Sequence, residues 1–160
     1  MGTSVTIVGA PATPGELPGD YIDSADIYAV FGESNVGKWA DLDNDADSVK
    51  IAARVNNAIL WAENEINSRL RNSAYVLPLA NADDEVPAEI VDVAANLAGV
   101  WLYENRGVQD YNPDTGQVVH RLRWNRDRAE KTLREILAGV RVVDAVQYTV
   151  TRVPAAIANE

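Results

Sequence analysis

One helical segment is so apolar that the rest of the chain has to pack around it. Residues 87–107 begin with a proline, which suits the first turn of a helix, and end at a glycine, which commonly ends one. Apolar side chains cover most of the helix circumference and leave a narrow polar arc around Asp92, Asn96 and Tyr103. The sequence therefore predicts the central, most buried helix of its domain here.

A second segment, residues 48–71, has the amphipathic pattern of a helix packed against that centre. At 100° per residue, its apolar stripe spans about 80°. The stripe consists of Ala52, Val55, Ile59, Ala62, Ile66 and Leu70. Leu60 and Trp61 point more than about 100° away from it. These two residues are therefore predicted to form a second contact surface.

Two more helices are predicted, one on each side of this pair. The first is short, with an N-cap at Ser24 and a stop at Gly32. The following stretch, 33–47, is predicted to be irregular, and 108–117, rich in turn formers, is predicted to be a loop. The last helix is predicted over 119–138. Its inward residues are Leu122, Ala129, Leu133, Ile136 and Leu137.

The two ends of the chain differ in composition from the helical part. Residues 1–20 contain four glycines and three prolines, which predicts a flexible arm. Residues 140–153 are rich in β-branched side chains in partial alternation, typical of a strand. A lone strand cannot satisfy its own backbone, so this segment is predicted to be flexible alone or paired with another chain. The predicted fold class is all-α: a small bundle of about four helices over 21–139, with an extended N-terminal arm (1–20) and a strand-like C-terminal arm (140–160).

The net charge of −10 is unevenly distributed. Residues 1–47 carry nine acidic side chains and a single basic one, whereas residues 121–134 carry six basic and two acidic ones. Such opposite-signed halves favour contact with a second copy of the chain or with a partner of its own polarity. The absence of cysteine excludes disulfides and thiolate metal sites. Neither a membrane span nor a signal peptide is expected from the hydropathy pattern.

An acidic run at 41–47 imitates a calcium-binding loop. An EF-hand requires a bidentate glutamate at its twelfth position, where the two possible registers place Ala52 and Arg54. The run is therefore interpreted as a solvated turn that caps the following helix.

Two other patterns fall short of catalytic or phosphate-binding motifs. His120, the single histidine, opens the last predicted helix and is interpreted as a surface or capping residue. Lys38 follows two glycines, but Trp39 comes next instead of Ser or Thr, and no strand precedes them. A hydrolase with paired carboxylates stays open because acids are abundant, although they sit at helix starts and in polar loops. No catalytic, cofactor-binding or metal-binding residue is predicted.

The basic helix 119–138 has three possible interpretations. Its bases spread over most of the arc left by the apolar face, interspersed with Asp127, Glu130 and Glu135. That distribution fits a solvated face or a surface that pairs with acids of an adjacent subunit. A DNA-reading helix would concentrate its bases on one side. A DNA-associated regulatory or packaging accessory protein is the alternative function.

The order of helix, turn and apolar helix resembles that of head–tail connector proteins of tailed phages (adaptor or head completion proteins, Gp36-like). The resemblance covers roughly residues 21–140. It is carried by Ile66, Leu70, Tyr75, Leu77, Pro78, Leu79, Pro87, Ile90, Ala94, Trp101, Leu102 and Tyr103. It implies a non-enzymatic structural virion protein without a cofactor, forming a ring of twelve copies that joins the portal vertex to the tail and continues the DNA channel.

Specific residues can be assigned to contacts within this interpretation. Subunit contacts are predicted at Leu60, Trp61, Arg121, Arg123 and Arg128. The predicted portal-binding arm contains Val140, Val142, Val143, Val146, Tyr148 and Val150. Tyr75, Pro78 and Leu79 match the family turn and are predicted to fix the angle between two helices.

The expected partners are other copies of the chain, the portal protein and a tail-side connector or stopper protein. DNA is expected to pass through the lumen without specific binding, and no membrane contact is expected. Assembly is expected in the host cytoplasm, with the head–tail interface of the virion as the final location.

Overall fold

The computed structural model describes residues 19–107, 110–111, 114–116 and 118–148. The predicted N-terminal arm therefore lies outside the described residues apart from Gly19 and Asp20, as does Val150 of the C-terminal arm. Five helices are found in the described part: α1 (Ser24–Phe31), α2 (Glu33–Ala40), α3 (Ser48–Leu70), α4 (Ala88–Asn105) and α5 (Arg123–Leu137). A two-stranded antiparallel ribbon of β1 (Asp110–Tyr111) and β2 (Val118–Val119) joins α4 to α5. The predicted all-α bundle is confirmed.

The prediction of an irregular stretch over 33–47 is wrong for residues 33–40, which form α2, and holds for residues 41–47. Gly32 has φ +84°, a conformation that favours glycine, and this lets α1 end and α2 begin at one residue. Val36 and Ala40 of α2 are buried in the core. Helix α2 is too short for its apolar pattern to predict it from sequence, and it is stabilised by packing against the rest of the fold.

Helix α3 confirms most of its predicted stripe. Asp47 caps it by accepting hydrogen bonds from the backbone of Val49 and Lys50. The stripe from Val55 to Leu70 is buried, whereas Ala52 is exposed. The prediction for Ala52 is wrong, because in the first turns of the helix Ile51, and not Ala52, packs against the core.

Helix α4 is the central helix, but its predicted polar arc is wrong in part. Asn96 and Tyr103 are buried because α5 and the segment before it cover that side of α4. Asn96 finds a polar partner there, accepting a 2.9 Å hydrogen bond from the Asn125 amide. On another side, Gly99 leaves room for the ring of Phe31 from α1.

Helix α5 begins later than predicted, since residues 118–119 belong to β2. Ala129, Leu133 and Ile136 are buried as predicted, whereas Leu137 is exposed. Leu137 lies in the last turn, where the chain turns away through Gly139 at φ +71°. None of the described helices is both long and apolar enough to cross a membrane.

The C-terminal segment contradicts the prediction that it is free or paired with another chain. Up to residue 148 it packs against the turn between α3 and α4, and Val143 is buried to 2% exposure. Tyr75 and Gln147 form an antiparallel bridge between the two segments. The reason is that the turn exposes backbone donors and acceptors within the same chain, so an intermolecular partner is not required.

Candidate functional site

The candidate site of this protein is its interaction surface, which begins with an aromatic platform on the outer side of α3. Leu60 and Trp61 are 41% and 40% exposed. The Trp61 ring stacks on Trp101 of α4, with centroids 6.3 Å apart and planes 30° from parallel. The Arg54 guanidinium lies 4.8 Å from the Trp101 centroid. The platform is thus held in place within the monomer while part of its apolar surface stays available to a partner.

The basic residues of α5 are largely engaged within the same chain. Arg128 contacts Asp92 at 2.9 Å and lies 5.4 Å from the centroid of Trp124. Arg123, with a highly exposed side chain, is 3.5 Å from Asp127. Arg121 is exposed as well. The three arginines predicted to contact a neighbouring subunit therefore lie on the surface, where Arg123 and Arg128 form ion pairs with Asp127 and Asp92.

A charged pair, Arg69 and Glu130, joins α3 to α5. Arg69 donates to both carboxylate oxygens of Glu130, with a 2.9 Å bond from Nη2 to Oε1, and also contacts Glu65. The hydrogen bonds from Arg69 lower the pKa of Glu130. A bidentate pair of this geometry fixes the relative position of the two helices. Sequence periodicity cannot predict the Arg69–Glu130 pair, because the two residues are 61 positions apart and each lies on the polar face of its helix.

The C-terminal segment uses its backbone to bind the Tyr75–Leu79 turn. Val146 donates to the Ala80 carbonyl at 2.8 Å and accepts from Val76 at 2.9 Å, and Tyr148 donates to the Ala74 carbonyl at 2.8 Å. The Val143 amide donates to the Tyr75 hydroxyl at 3.3 Å. Four of the six residues predicted to bind the portal remain exposed in this arrangement. These are Val140, Val142, Val146 and Tyr148.

The Tyr75–Leu79 turn is a junction for three parts of the chain. Tyr75 and Leu79 are buried, whereas Pro78, which follows a cis peptide bond, is exposed. The Leu79 amide donates to the Tyr21 hydroxyl at 2.9 Å, and that hydroxyl donates in turn to Asn67. Burial raises the pKa of Tyr21. The turn therefore holds the N-terminal entry of the domain on one side and the C-terminal segment on the other.

Glu63 anchors the N-terminal entry and was not identified by the sequence analysis. Its buried carboxylate accepts hydrogen bonds from the amides of Tyr21 at 2.8 Å and Ile22 at 3.3 Å. A Cβ on Gly19 would lie 2.2 Å from this carboxylate, so the chain passes closely over it. A weak signal was present, because Glu63 lies at the edge of the apolar stripe of α3, about 20° from Leu70 on a helical wheel.

The acidic loop is occupied by the protein's own donors. The Asp41 carboxylate accepts from the amides of Asp45 and Ala46, and Lys50 Nζ contacts Asp43 at 2.8 Å and Asp45 at 2.5 Å. Arg106 from the end of α4 donates to the Asp41 carbonyl and to Asn44, fixing the loop. Among the described residues no group of acids and histidines is arranged to hold a metal ion.

His120 lies beside α4, not in a cleft with a nucleophile. Its Nε2 is 2.8 Å from Glu104 Oε1, and its ring centroid is 5.6 Å from that of Tyr103. Glu104 also receives Arg126 at 2.7 Å. These contacts join the start of the α5 region to the end of α4, in keeping with the surface role predicted for this histidine.

Comparisons with known proteins identify one relationship. The family model described as "Bacteriophage Mu, Gp36" matches residues 21–156, which is most of the chain and includes the turn and the C-terminal segment. No curated protein and no solved structure matches.

Proposed function

This chain belongs to the bacteriophage Mu Gp36 family, and from that premise we propose that it is a head–tail connector protein of the phage virion. Family membership supports a phage structural or assembly role. The finer proposal is that twelve copies form a ring under the portal vertex, join the head to the tail and continue the DNA channel. The proposed assembly takes place in the host cytoplasm, and the proposed final location is the head–tail interface.

The observation that carries the proposal is the platform of Leu60 and Trp61. Both side chains lie outside the buried stripe of α3 and stay 41% and 40% exposed, and stacking on Trp101 of the central helix fixes the position of the Trp61 ring. A pre-positioned, partly exposed aromatic residue loses little conformational freedom on binding, which suits it as an anchor of an interface. In the proposed ring this platform contacts the next copy.

The charge distribution supports a head-to-tail arrangement of copies. The acids of α1 and its cap and of the loop before α3 lie in one half of the sequence, whereas Arg123 and Arg128 lie on α5 and Arg121 lies in the turn just before it. When unlike surfaces of successive copies meet, the contact is heterologous, and such contacts generate rings if the rotation closes. We propose that these three arginines contact acidic residues of the neighbouring copy. Arg123 and Arg128 would then either leave their present partners, Asp127 and Asp92, or bind acids of both copies.

The proposed portal contact is the C-terminal segment. Its exposed apolar residues include Val146 and Tyr148, whose backbone is already held by the turn, and we assign the portal contact by strand addition to this part of the segment. The portal would therefore bind the docked segment up to Tyr148 together with residues 149–153. A tail-side connector or stopper protein would bind the opposite end of the ring.

The channel proposed for the ring carries DNA without binding it specifically. With a net charge of −10, an acidic lumen would repel phosphates and let the genome slide. The proposal includes no enzymatic activity, no cofactor and no membrane contact. A ring whose lumen is lined mainly by arginine and lysine would contradict this part of it.

The alternative, a DNA-associated regulatory protein using α5, receives less support from the geometry. Four bases of α5 contact acids of the same chain: Arg123, Arg126, Arg128 and Lys131. Binding phosphates would require these pairs to be given up. Strong, salt-sensitive binding to a random duplex would favour this alternative.

The test of the proposed function is co-purification with the portal protein of the same genome, followed by negative-stain imaging. Wild-type protein is expected to appear as a ring stacked on the portal. The double variant Leu60→Gln, Trp61→Gln is expected to keep its helical circular dichroism and to form no ring. Val49→Gln is the matched control, because Val49 is a more exposed apolar residue of the same helix. Failure of the wild type to bind the portal at high concentration would refute the connector proposal.

A further inference from the structure

A groove on the surface of α3 lies beside the aromatic platform. It separates the first half of α3 from the chain that leaves α2, and residues of both line it: Ala40, Leu42, Ala53, Arg54 and Asn57. Its volume is about 300 Å³. Asn57 and Trp61 are four residues apart and therefore neighbours on the helix surface, so the groove leads directly to the platform.

Arg54 makes this groove suitable for an aromatic side chain. Its guanidinium lies 4.8 Å from the centroid of Trp101, and its Nε is buried without a hydrogen-bond acceptor. Within the described residues no carboxylate forms an ion pair with it. A guanidinium stacks favourably on aromatic rings. Because Arg54 also lines the groove, a ring that enters there can contact it, and Leu42 and Ala53 supply apolar walls.

The loop side of the groove carries negative charge. Asp43 lines the groove, and Asp45 follows it in the loop before α3. Their side chains stay 63% and 41% exposed although Lys50 contacts both. One lysine thus faces two carboxylates, which leaves this side attractive to cations of a partner.

Trp124 at the start of α5 has the complementary character. With 66% exposure it is the most exposed aromatic side chain of the described residues. The Arg128 guanidinium lies 5.4 Å from its ring centroid, and Arg123 precedes it in the chain. Tryptophan and arginine are the residues most often found as energetic anchors of protein interfaces. An apolar ring bordered by cations matches an apolar groove bordered by acids.

One copy cannot place Trp124 in its own groove, because the two lie on different sides of the central helix. Trp101 contacts Arg54 of the groove, whereas Asn96 contacts Asn125, the residue after Trp124. With 3.6 residues per turn, positions 96 and 101 of α4 point about 140° apart. The ring that fills the groove therefore has to come from another molecule.

We propose that the groove binds Trp124 of a second copy, whose Arg123 and Arg128 contact Asp43 and Asp45. This inference rests on the proposed function, since it specifies the contact that joins successive copies in the ring. The contact is heterologous, because a groove on one copy meets a different surface of the next.

The heights of the two surfaces on α4 suit a closed ring. Arg126, two residues after Trp124, reaches Glu104 near the end of α4, and Arg106 from the same end holds the loop beside the groove. Trp124 and the groove thus lie at similar heights along α4. A heterologous contact with little translation along one axis favours a closed ring over an open filament.

Two variants on opposite sides of the contact test it. Trp124→Ala removes the ring, and Ala53→Phe fills the groove. Each is expected to weaken self-association at least about tenfold in sedimentation velocity and to prevent rings on the portal. Helical circular dichroism is expected to stay unchanged, because both positions are exposed. The matched controls are Leu137→Ala, an exposed apolar residue of α5, and Ala52→Phe, an exposed neighbour outside the groove. Both controls are expected to behave as wild type.

Cross-linking tests the geometry directly, because the chain contains no cysteine. Asn57→Cys marks the groove, and Asp127→Cys marks the face of α5 next to Trp124. With a short bismaleimide, the double variant is expected to form a ladder of covalent dimers, trimers and larger species, both alone and on the portal. Each single variant is expected to remain unlinked.

The outcomes separate this contact from the connector proposal. No ladder either alone or on the portal would overturn the inference, and so would dimers from a single-cysteine variant, which show a two-fold contact. Rings formed on the portal by Trp124→Ala and Ala53→Phe would also overturn it and leave the connector proposal standing. A ladder from a protein that does not bind the portal would support the contact and refute the connector proposal.

Discussion

Replacing Gly99 by alanine provides a quantitative test of how α1 packs on the central helix. A Cβ at this position would lie 2.1 Å from Phe31 Cε2 and 2.4 Å from Cδ2. The ring cannot move away freely, since it packs against the core and contacts Trp39 edge-on at 5.5 Å between centroids. The substitution therefore brings two opposing effects together, a better helix former and a steric conflict.

The magnitudes decide the sign. Alanine in a helix interior is favoured over glycine by about 1 kcal/mol. Overpacking of a core costs about 1–3 kcal/mol, and a conflict with several ring atoms belongs at the upper end. Gly99→Ala is therefore expected to lower the free energy of unfolding by about 2 kcal/mol. For a chain of 160 residues this corresponds to a fall in Tm of about 6 °C.

The assay is urea unfolding followed by circular dichroism and by tryptophan fluorescence, in the wild type and in a Phe31→Ala background. Without the ring only the helix-propensity effect remains, so Gly99→Ala is expected to stabilise the Phe31→Ala protein by about 1 kcal/mol. The coupling energy between the two sites would then be about 3 kcal/mol. The reasoning is refuted if Gly99→Ala has the same sign in both backgrounds.

Three further predictions concern single interactions. Arg69 lowers the pKa of Glu130, so the ionised carboxylate stabilises the fold above its ordinary pKa of 4.5 and this contribution disappears as the pH falls through the lowered value. Glu130→Gln is expected to cost about 0.5–1 kcal/mol in urea unfolding at pH 7, and a difference from wild type that did not narrow below about pH 4.5 would contradict this. Asp47→Ala removes the cap of α3 and is expected to lower the free energy of unfolding by about 1 kcal/mol. Neither calcium nor EDTA is expected to change the Tm of the variant. A calcium-dependent Tm in the wild type would contradict a purely capping role. Tyr21→Phe leaves the Leu79 amide without its acceptor and is expected to cost about 1–2 kcal/mol. Burial raises the pKa of Tyr21 above the ordinary tyrosine value of 10.0. The neutral hydroxyl therefore stabilises the wild type fully below about pH 10, and this contribution is lost as the pH rises through the raised pKa. Thermal melts of Tyr21→Phe should lack this alkaline loss of stability.

Local signals predicted the two long helices well. The bounds of α3 agree with prediction to within one residue, because an acidic cap and a regular apolar stripe lie in consecutive sequence. The identity of α4 as the central helix also followed from sequence, since a nearly all-apolar helix is stable only when surrounded. The exposure of Leu60 and Trp61 followed from the same periodicity.

Long-range pairing could not be predicted in the same way. The polar residues Asn96 and Tyr103 were expected at the surface, but both are buried. Asn125 of α5 supplies a polar partner for Asn96, and the rings of Trp39 and His120 pack against Tyr103. Glu63 lies at the edge of the apolar stripe of α3, and only the structure shows that the backbone of Tyr21 crosses over it and binds its carboxylate. In each case the deciding partner lies far away in sequence.

The sequence by itself determined the helical class, the central helix and the outward position of the aromatic platform, because these depend on periodicity and caps within single segments. The tertiary structure decided that the C-terminal segment docks on its own chain and that α5 neutralises most of its positive charge internally. The sequence pattern of a strand shows that its backbone amides and carbonyls need hydrogen-bond partners. Which partners they find depends on the backbone groups that the fold brings within hydrogen-bond distance.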